Sequence, residues 1–334
     1  MVRSFFPHRC ASRLAEGRAR PRRLTRGMAM ARRRKGSPVH GWLIFDKPQG
    51  FNSTRAVAQV KRLYDAEKAG HAGTLDPLAT GVLPIALGEA TKTVPFVVEG
   101  SKAYRFTVRF GIETDTDDAE GKEVAKSVAR PSRSEIEAIL PRFTGEIDQV
   151  PPRFSALKVD GARAYDLARD EEEFELEPRS VSIARLALIA HPDKDHCVLE
   201  AECGKGTYVR ALARDLGRAL GTLGHVAALR RTRVGLFGEE NAVSLATLER
   251  LASDREALLA LLEPVEIALR DIPALVISAA DAARLRRGQS VLLRGRDAPI
   301  LAGTVYATTR GTLVAVGEVS EGELKPKRIF NLPY

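Results

Sequence analysis

Twelve of the first 38 residues are Lys or Arg, and the single acid among them is Glu16. A segment this charged, with little apolar sequence and neither helical nor strand period, cannot bury enough surface to fold. Residues 1–37 are therefore expected to be disordered. They hold no continuous apolar stretch of the kind a secretory signal needs, although their Arg/Ser bias leaves a transit-like reading open. Met28 or Met30 is the expected start, with the upstream residues dispensable or adding non-specific phosphate affinity. The whole chain carries only +9, so the remainder is slightly acidic. Nucleic-acid binding cannot be read from overall charge and has to come from where the cations cluster.

Order is expected from about His40. Hydrophobic residues make up 44% of the 334, enough for a real core in one large domain plus a small one. No apolar run approaches the ~20 residues that cross a bilayer. The three cysteines, Cys10, Cys197 and Cys203, form no CxxC pair, and no histidines stand at HxxxH spacing. A metal centre and a disulfide scaffold are both disfavoured, and a reducing cytoplasm fits. Trp42–Phe45 reads as a strand, followed by a turn at Asp46–Gly50 and a helix to about Tyr64 capped by Asn52 or Ser53. Ala103–Phe110 alternates, with Tyr104, Phe106, Val108 and Phe110 on one face. Glu113–Glu123 reads as an acidic loop, Ser134 with Glu137 as a capping box, and Gly206–Leu220 as a helix. The stretch 148–177 is a long connection with a basic middle (Arg153, Lys158, Arg163) and an acidic end from Asp170 to Glu177. From Asp271 a short basic helix and strands near 290–294, 299–306 and 312–317 predict a small β-rich domain.

Chemistry concentrates in Gly70-His-Ala-Gly-Thr-Leu-Asp-Pro-Leu-Ala-Thr-Gly81. Glycines let the backbone turn tightly and Pro77 stiffens the chain beyond Asp76, so the loop presents one carboxylate and one imidazole. Taken alone, an Asp before Pro in such a loop reads more often as an Asx turn than as a catalyst. Four collinear segments, however, resemble the TruB family, the bacterial tRNA pseudouridine-55 synthases. They are this loop; Asp46-Lys47-Pro48-Gln-Gly50; Ser101-Lys102-Ala-Tyr104; and Lys205-Gly-Thr-Tyr208-Val-Arg210 with Leu229-Arg230-Arg231. The likeness runs from about residue 40 to the end.

The resemblance implies an α+β fold, in which a mixed, largely antiparallel sheet with flanking helices surrounds a central cleft. A small C-terminal PUA-like β-barrel would occupy 271–334, after a catalytic domain at 38–270. It implies cleavage of the C1′–N1 bond of uridine 55 and rejoining through C5, with no cofactor or metal. Asp76 would be the essential carboxylate, attacking C1′ or removing a C2′ proton. Arg210 would pair with it and keep it charged. Tyr104 would stack on the uracil and act in proton transfer, while Tyr208 and Leu229 would line the pocket. Lys47, Gly73, Lys92 and Lys205 are further expected substrate contacts. The base must be extruded, and His71 would fill the gap it leaves. By bare sequence, Arg210 reads as a surface helix residue, Tyr104 and Leu229 as core, and His71 as a loop histidine.

The expected partner is tRNA, gripped at the T stem-loop and acceptor stem by a monomeric cytoplasmic protein with no membrane contact. The grip is assigned to seven cations in 204–235 (Lys205, Arg210, Arg214, Arg218, Arg230, Arg231, Arg233), to the 153–163 thumb-like segment, and to Arg284, Arg286, Arg287, Arg294 and Arg296. Two alternatives stay open: a non-catalytic tRNA-folding helper, and a guide-dependent synthase of an RNA–protein particle.

Overall fold

The computed structural model describes residues 36–155, 157–159, 162–163, 174–293 and 302–333. Residues 1–35 of the arm expected to be disordered, the start of the acidic run at Asp170, and Arg294 and Arg296 lie outside the described residues, while Ser37, at the arm's end, is tied to Asp65 by its hydroxyl at 2.8 Å. So do the side chains of Lys158 and Arg163.

The chain opens with β1 (Gly41–Lys47), α1 (Ser53–Leu63), β2 (Ala69–His71) and β3 (Thr80–Leu87). After α2 (Val94–Glu99) come β4 (Lys102–Phe110), the hairpin β5 (Ile112–Thr114) and β6 (Glu123–Lys126), α3 (Arg133–Ile139) and β7 (Gly145–Gln149). The short pair β8 (Lys158–Val159) and β9 (Ala162–Arg163) precedes β10 (Arg179–Asp193), β11 (His196–Cys203) and α4 (Val209–Ala219). Then follow β12 (Gly224–Val234), β13 (Phe237–Gly238), β14 (Val243–Ser244), α5 (Leu245–Arg250) and α6 (Arg255–Ala260).

The main sheet has ten strands, with the path β14-β1-β3-β12-β4-β11-β10-β7 and with β2 and β13 attached to β3 and β12. Within it only the β1–β14 and β3–β12 pairs run parallel, so the sheet is mixed and largely antiparallel. Strand β4 shows why one face holds: Phe106, Val108 and Phe110 are buried while Arg105 and Arg109 on the opposite face are exposed. They pack under α4 through Val209, Leu212, Ala213 and Leu216. A second core gathers Leu43, Phe45, Leu83 and Ile85 against Ala56, Val60 and Tyr64 of the α1 segment. Tyr104 and Leu229, on neighbouring central strands, touch both cores. These two side chains therefore bridge the two cores at the middle of the sheet.

Local chemistry corrects several expectations. Asn52, not Ser53, caps α1, its side chain accepting from the Arg55 amide at 2.8 Å. The capping box is Ser132 with Glu135, two positions earlier than Ser134 with Glu137. Helix α4 starts at Val209 rather than Gly206, because Gly206 has φ +85 and Tyr208 is extended. No helix continues through a left-handed residue, so 204–208 is a loop. The acidic stretch 113–123, expected to be loop, is pulled into the β5–β6 hairpin at both ends.

The C-terminal part comprises β15 (Ala274–Val276), α7 (Ala279–Arg286), β16 (Val291–Leu292), β17 (Gly303–Thr309), β18 (Thr312–Ser320) and β19 (Glu323–Ile329). Its five strands form a curled sheet in the order β15-β17-β18-β19-β16. Strands β15 and β19 were not foreseen. The first is too short, and Pro326 and the alternating charges of the second obscure its pattern. Leu313, Val316 and Phe330 of this part share one cluster with Trp42, Ile44, Val82 and Phe237 of the main sheet. Glu89 and Lys92 tie the same seam: Glu89 accepts from the Asn331 amide at 2.8 Å, and Lys92 donates to the Ile329 carbonyl at 2.7 Å. Phe330 is 0% exposed there, so Phe330→Ala should lose ~3–5 kcal/mol of stability. Denaturant unfolding of wild type and variant checks this, and a loss under about 1 kcal/mol would mean the seam is not a packed core.

Candidate active site

Three buried side chains fix the loop that carries Asp76. Ser53, at the start of α1, accepts from the Leu75 amide at 2.8 Å and donates to the Leu75 carbonyl at 3.0 Å. Lys47, 0% exposed, donates to the carbonyls of Phe51 at 2.6 Å, Pro48 at 3.1 Å and Pro77 at 3.5 Å. Arg231 donates to the carbonyls of Val82 at 2.8 Å, Gly73 at 3.1 Å and Thr74 at 3.2 Å. Its passage also explains Gly81, where φ is +97 and an added Cβ would lie 2.3 Å from the Arg231 carbonyl oxygen. The loop is a strapped element, not a free turn.

Held in this way, Asp76 points into a cleft of about 700 Å³, within the ~300–1,000 Å³ typical of small-molecule sites. Arg210, on the first turn of α4, reaches its carboxylate at 2.9 Å. The same guanidinium donates to the carbonyls of Thr116 and Phe154, each at 3.0 Å, and stands 3.6 Å from Asp118. Arg210 is thus sandwiched between two carboxylates, one at the cleft surface and one buried. Tyr104, Tyr208, Leu229, Lys205 and Gly73 line the cleft with them, as do Lys102, Glu120 and Ser155.

Burial raises the Tyr104 phenol above the ordinary tyrosine value, with Arg231 pulling it back down. Burial likewise raises Tyr208. Both side chains are protonated phenols through the neutral range. Glu120 is raised first by burial and then by its acidic neighbours Asp118 and Asp76. His71 lies on β2 with a buried Nδ1 lacking a hydrogen-bond partner, and burial followed by Arg231 lowers its pKa. Its imidazole is neutral at physiological pH.

Some expected contacts are placed elsewhere. Lys47 lies beneath the loop, and its ammonium serves three carbonyls; burial lowers its pKa to about 8. Lys92 sits at the C-terminal seam, paired with Glu89 at 2.6 Å. His71 is outside the cleft lining. The basic cluster at 204–235 is also largely internal. Arg210, Arg214 and Arg231 are buried. Arg218 pairs with Glu113, Arg230 with Asp46 and Glu239, Arg233 with Glu202, and Lys205 with Glu99. Cations close in sequence here meet acids from distant strands, which no local count of charge reveals.

Asp118, Ser53 and Lys102 were missed as parts of the site. Asp118 stood in an acidic stretch whose only visible signal was its acidity, and its partner Arg210 is 92 positions away. Asp117 beside it has φ +60 and meets Arg214 at 3.0 Å, holding the turn that aims the Thr116 carbonyl at Arg210.

Residues 61–209 match the family model of the N-terminal domain of TruB family pseudouridylate synthases. Residues 210–270 match that of the tRNA pseudouridylate synthase B C-terminal domain, and 273–330 that of the pseudouridine synthase II TruB C-terminal region. The tRNA pseudouridine synthase B of Bradyrhizobium diazoefficiens is 63% identical over 304 residues, covering 90% of this chain and 88% of its own. That of Caulobacter vibrioides is 56% identical over 310 residues, covering 91% and 100%. Among solved structures, a chain of a Cbf5–Nop10–Gar1 complex superposes with a TM-score of 0.67 at 26% identity, covering 86% of this chain and 84% of that one. A chain of the archaeal box H/ACA sRNP Nop10–Cbf5 complex gives 0.66 at 25%, covering 91% and 93%. These likenesses reach from the motif segments through the C-terminal sheet.

Two outcomes test the geometry. Arg231→Lys leaves carbonyls in a buried site short of donors, so thermal unfolding should show a loss of ~2–4 kcal/mol; a neutral change would remove Arg231 as the strap. Burial raises Asp117 to about 6, against the pull of Arg214. A carboxyl raised in the fold favours folding below its unfolded value near 4, and that contribution is lost as pH rises through about 6. Asp117→Asn should therefore gain stability relative to wild type between about pH 4 and pH 7, read from melting curves across that range.

Proposed function

The chain belongs to the TruB family of pseudouridylate synthases, and on that premise we propose that it isomerises a uridine of tRNA, uridine 55 of the T loop, to pseudouridine. The observation that carries this reading is the Asp76–Arg210 pair at 2.9 Å on the wall of a cleft shared with Tyr104 and Tyr208. In the reaction the C1′–N1 bond breaks, the freed uracil turns, and C5 bonds to C1′. C5 then gives up its hydrogen, and N1 ends with one. Composition and oxidation state are unchanged, so the demands are positioning, charge and proton transfer.

Asp76 is the group suited to an electron-poor anomeric centre, either by attack on C1′ or by removal of a C2′ proton. Arg210 orients it through the ion pair, and Asp118 and two carbonyls hold Arg210. Tyr104 offers a ring for stacking, worth ~1–3 kcal/mol per base in comparable sites. Its hydroxyl stays protonated and can deliver or relay a proton. Leu229 closes the apolar side. Extruding the base requires a few kcal/mol of unstacking, and the neutral His71 imidazole suits a stacking role in the vacated space.

With the 204–235 arginines paired internally, the RNA backbone would be met by exposed cations of the C-terminal part. Arg284 and Arg287 on and beside α7 and Arg328 on β19 are exposed, and the 153–163 segment would complete the grip. Residues 271–334 would then act as the PUA-like RNA-binding domain, contacting the acceptor stem by shape and phosphate. The protein would act as a monomer in the cytoplasm; no described helix is long and apolar enough to cross a membrane.

Purified protein incubated with an unmodified tRNA transcript should form pseudouridine at position 55, read by position-specific mapping. Asp76→Asn should abolish product while tRNA affinity stays within about threefold, since the carboxylate acts on the sugar rather than on phosphate. Substantial product from that variant would remove Asp76 from its role. Absence of product from wild type, with tight binding retained, would favour the folding-helper reading.

A further inference from the structure

Between β7 and the long connection stands Gln149, a neutral amide that is 2% exposed. Its Oε1 accepts from the Tyr208 amide at 2.8 Å and its Nε2 donates to the Tyr208 carbonyl at 3.1 Å. A side chain here reproduces the two-bond exchange of an antiparallel strand pair, 59 positions away in sequence. Tyr208 is the N-cap of α4 and offers no side-chain cap of its own. Its carbonyl also accepts the first helical bond, from Leu212 at 3.1 Å. Both lone pairs of that oxygen are occupied, one by the helix and one by Gln149. The orientation in which α4 begins is therefore set from outside the helix, and Arg210 is two residues further on.

The neighbours of Gln149 act on the same turn. The Val150 carbonyl accepts from Arg214 at 2.8 Å, and the Phe154 carbonyl accepts from the guanidinium of Arg210 that pairs with Asp76. Pro151 and Pro152 between them are buried, which stiffens the path between the two carbonyls. The main chain of Gln149 is itself anchored, since it pairs with Arg179 across β7 and β10.

We propose that Gln149 is a positioning residue for the isomerisation: by gripping both main-chain polar groups of Tyr208 it fixes the start of α4. In doing so it fixes the registration of Arg210 on Asp76 and of the Tyr208 ring in the cleft. It touches no reacting atom in this role. The proposal rests on the synthase reading given above.

The test uses Gln149→Glu and Gln149→Leu in the full chain. In Gln149→Glu the introduced carboxylate keeps the acceptor for the Tyr208 amide but repels the Tyr208 carbonyl; once protonated, the carboxyl matches the amide in both roles. The single-turnover rate constant with saturating enzyme and an unmodified tRNA transcript is measured between about pH 6 and pH 8.5, with wild type in every run. Gln149→Glu should be about 10- to 100-fold slow at the alkaline end and recover toward wild type as pH falls, because small misplacement of a catalytic group carries penalties of that order. Gln149→Leu should be slow at every pH, with affinity for the transcript within about threefold of wild type for both variants. Wild-type rates in both variants overturn the proposal. So does a loss that saturating enzyme removes, or one that follows the variants' thermal midpoints instead of pH. If Gln149→Leu does not fold, the pH-dependent recovery of Gln149→Glu decides alone. A wild-type chain that forms no pseudouridine strikes the synthase reading itself, an outcome visible before any variant is compared.

Discussion

The Arg231 guanidinium is 1% exposed and gives its hydrogen bonds to the carbonyls of Val82, Gly73 and Thr74. A buried cation is expensive unless its donors are satisfied. Here that requirement works as a constraint: the strand carrying Val82 and the loop carrying Asp76 must keep their carbonyls aimed at one point. Burial lowers the pKa of Arg231, and Tyr104 and Asp76 oppose that shift. The same charge holds down the Tyr104 phenol and disfavours protonation of His71. One side chain thus fixes the loop's shape and sets part of the cleft's electrostatics.

Arginine has two distinct uses in this protein. Arg231, Arg210 and Arg214 act inward, as multi-donor forks that bind carbonyls and carboxylates from several segments at once. A lysine could not serve three carbonyls spread across a plane in the same way, whereas the converging carbonyls around Lys47 suit a point charge. The outward arginines of 204–235 are matched by acids across the sheet surface, consistent with a globular body that is slightly acidic. RNA affinity in such a body has to come from a few unneutralised positions, and contacts of that kind are weakened by salt.

The main sheet was legible in part: the alternation of Tyr104, Phe106, Val108 and Phe110 announced β4, and the apolar run Trp42–Phe45 announced β1. The motif loop was legible as chemistry only through its likeness to a family. The features that escaped depend on pairs distant in the chain. Asp118 meets Arg210, Gln149 meets Tyr208 and Lys92 meets Ile329 across 92, 59 and 237 positions, and no window of sequence contains both partners. Lys47 and Lys92 were expected as substrate contacts from the likeness to the family. The structure places the Lys47 ammonium on three carbonyls beneath the loop and Lys92 at the C-terminal seam. The start of α4 was misplaced for a subtler reason: Gly206 and Thr207 do not forbid helix, and only the φ of Gly206 shows that the chain turns first.

The two partners of the central ion pair are held by different means. Asp76 sits on a loop strapped by Ser53, Lys47 and Arg231, three side chains rooted in α1, β1 and β12. Arg210 is held from two sides, by Asp118 and the Thr116 carbonyl of the acidic turn and by the Phe154 carbonyl of the stretch Gln149–Phe154. A displacement of that stretch would alter Arg210 while leaving Asp76 where it is.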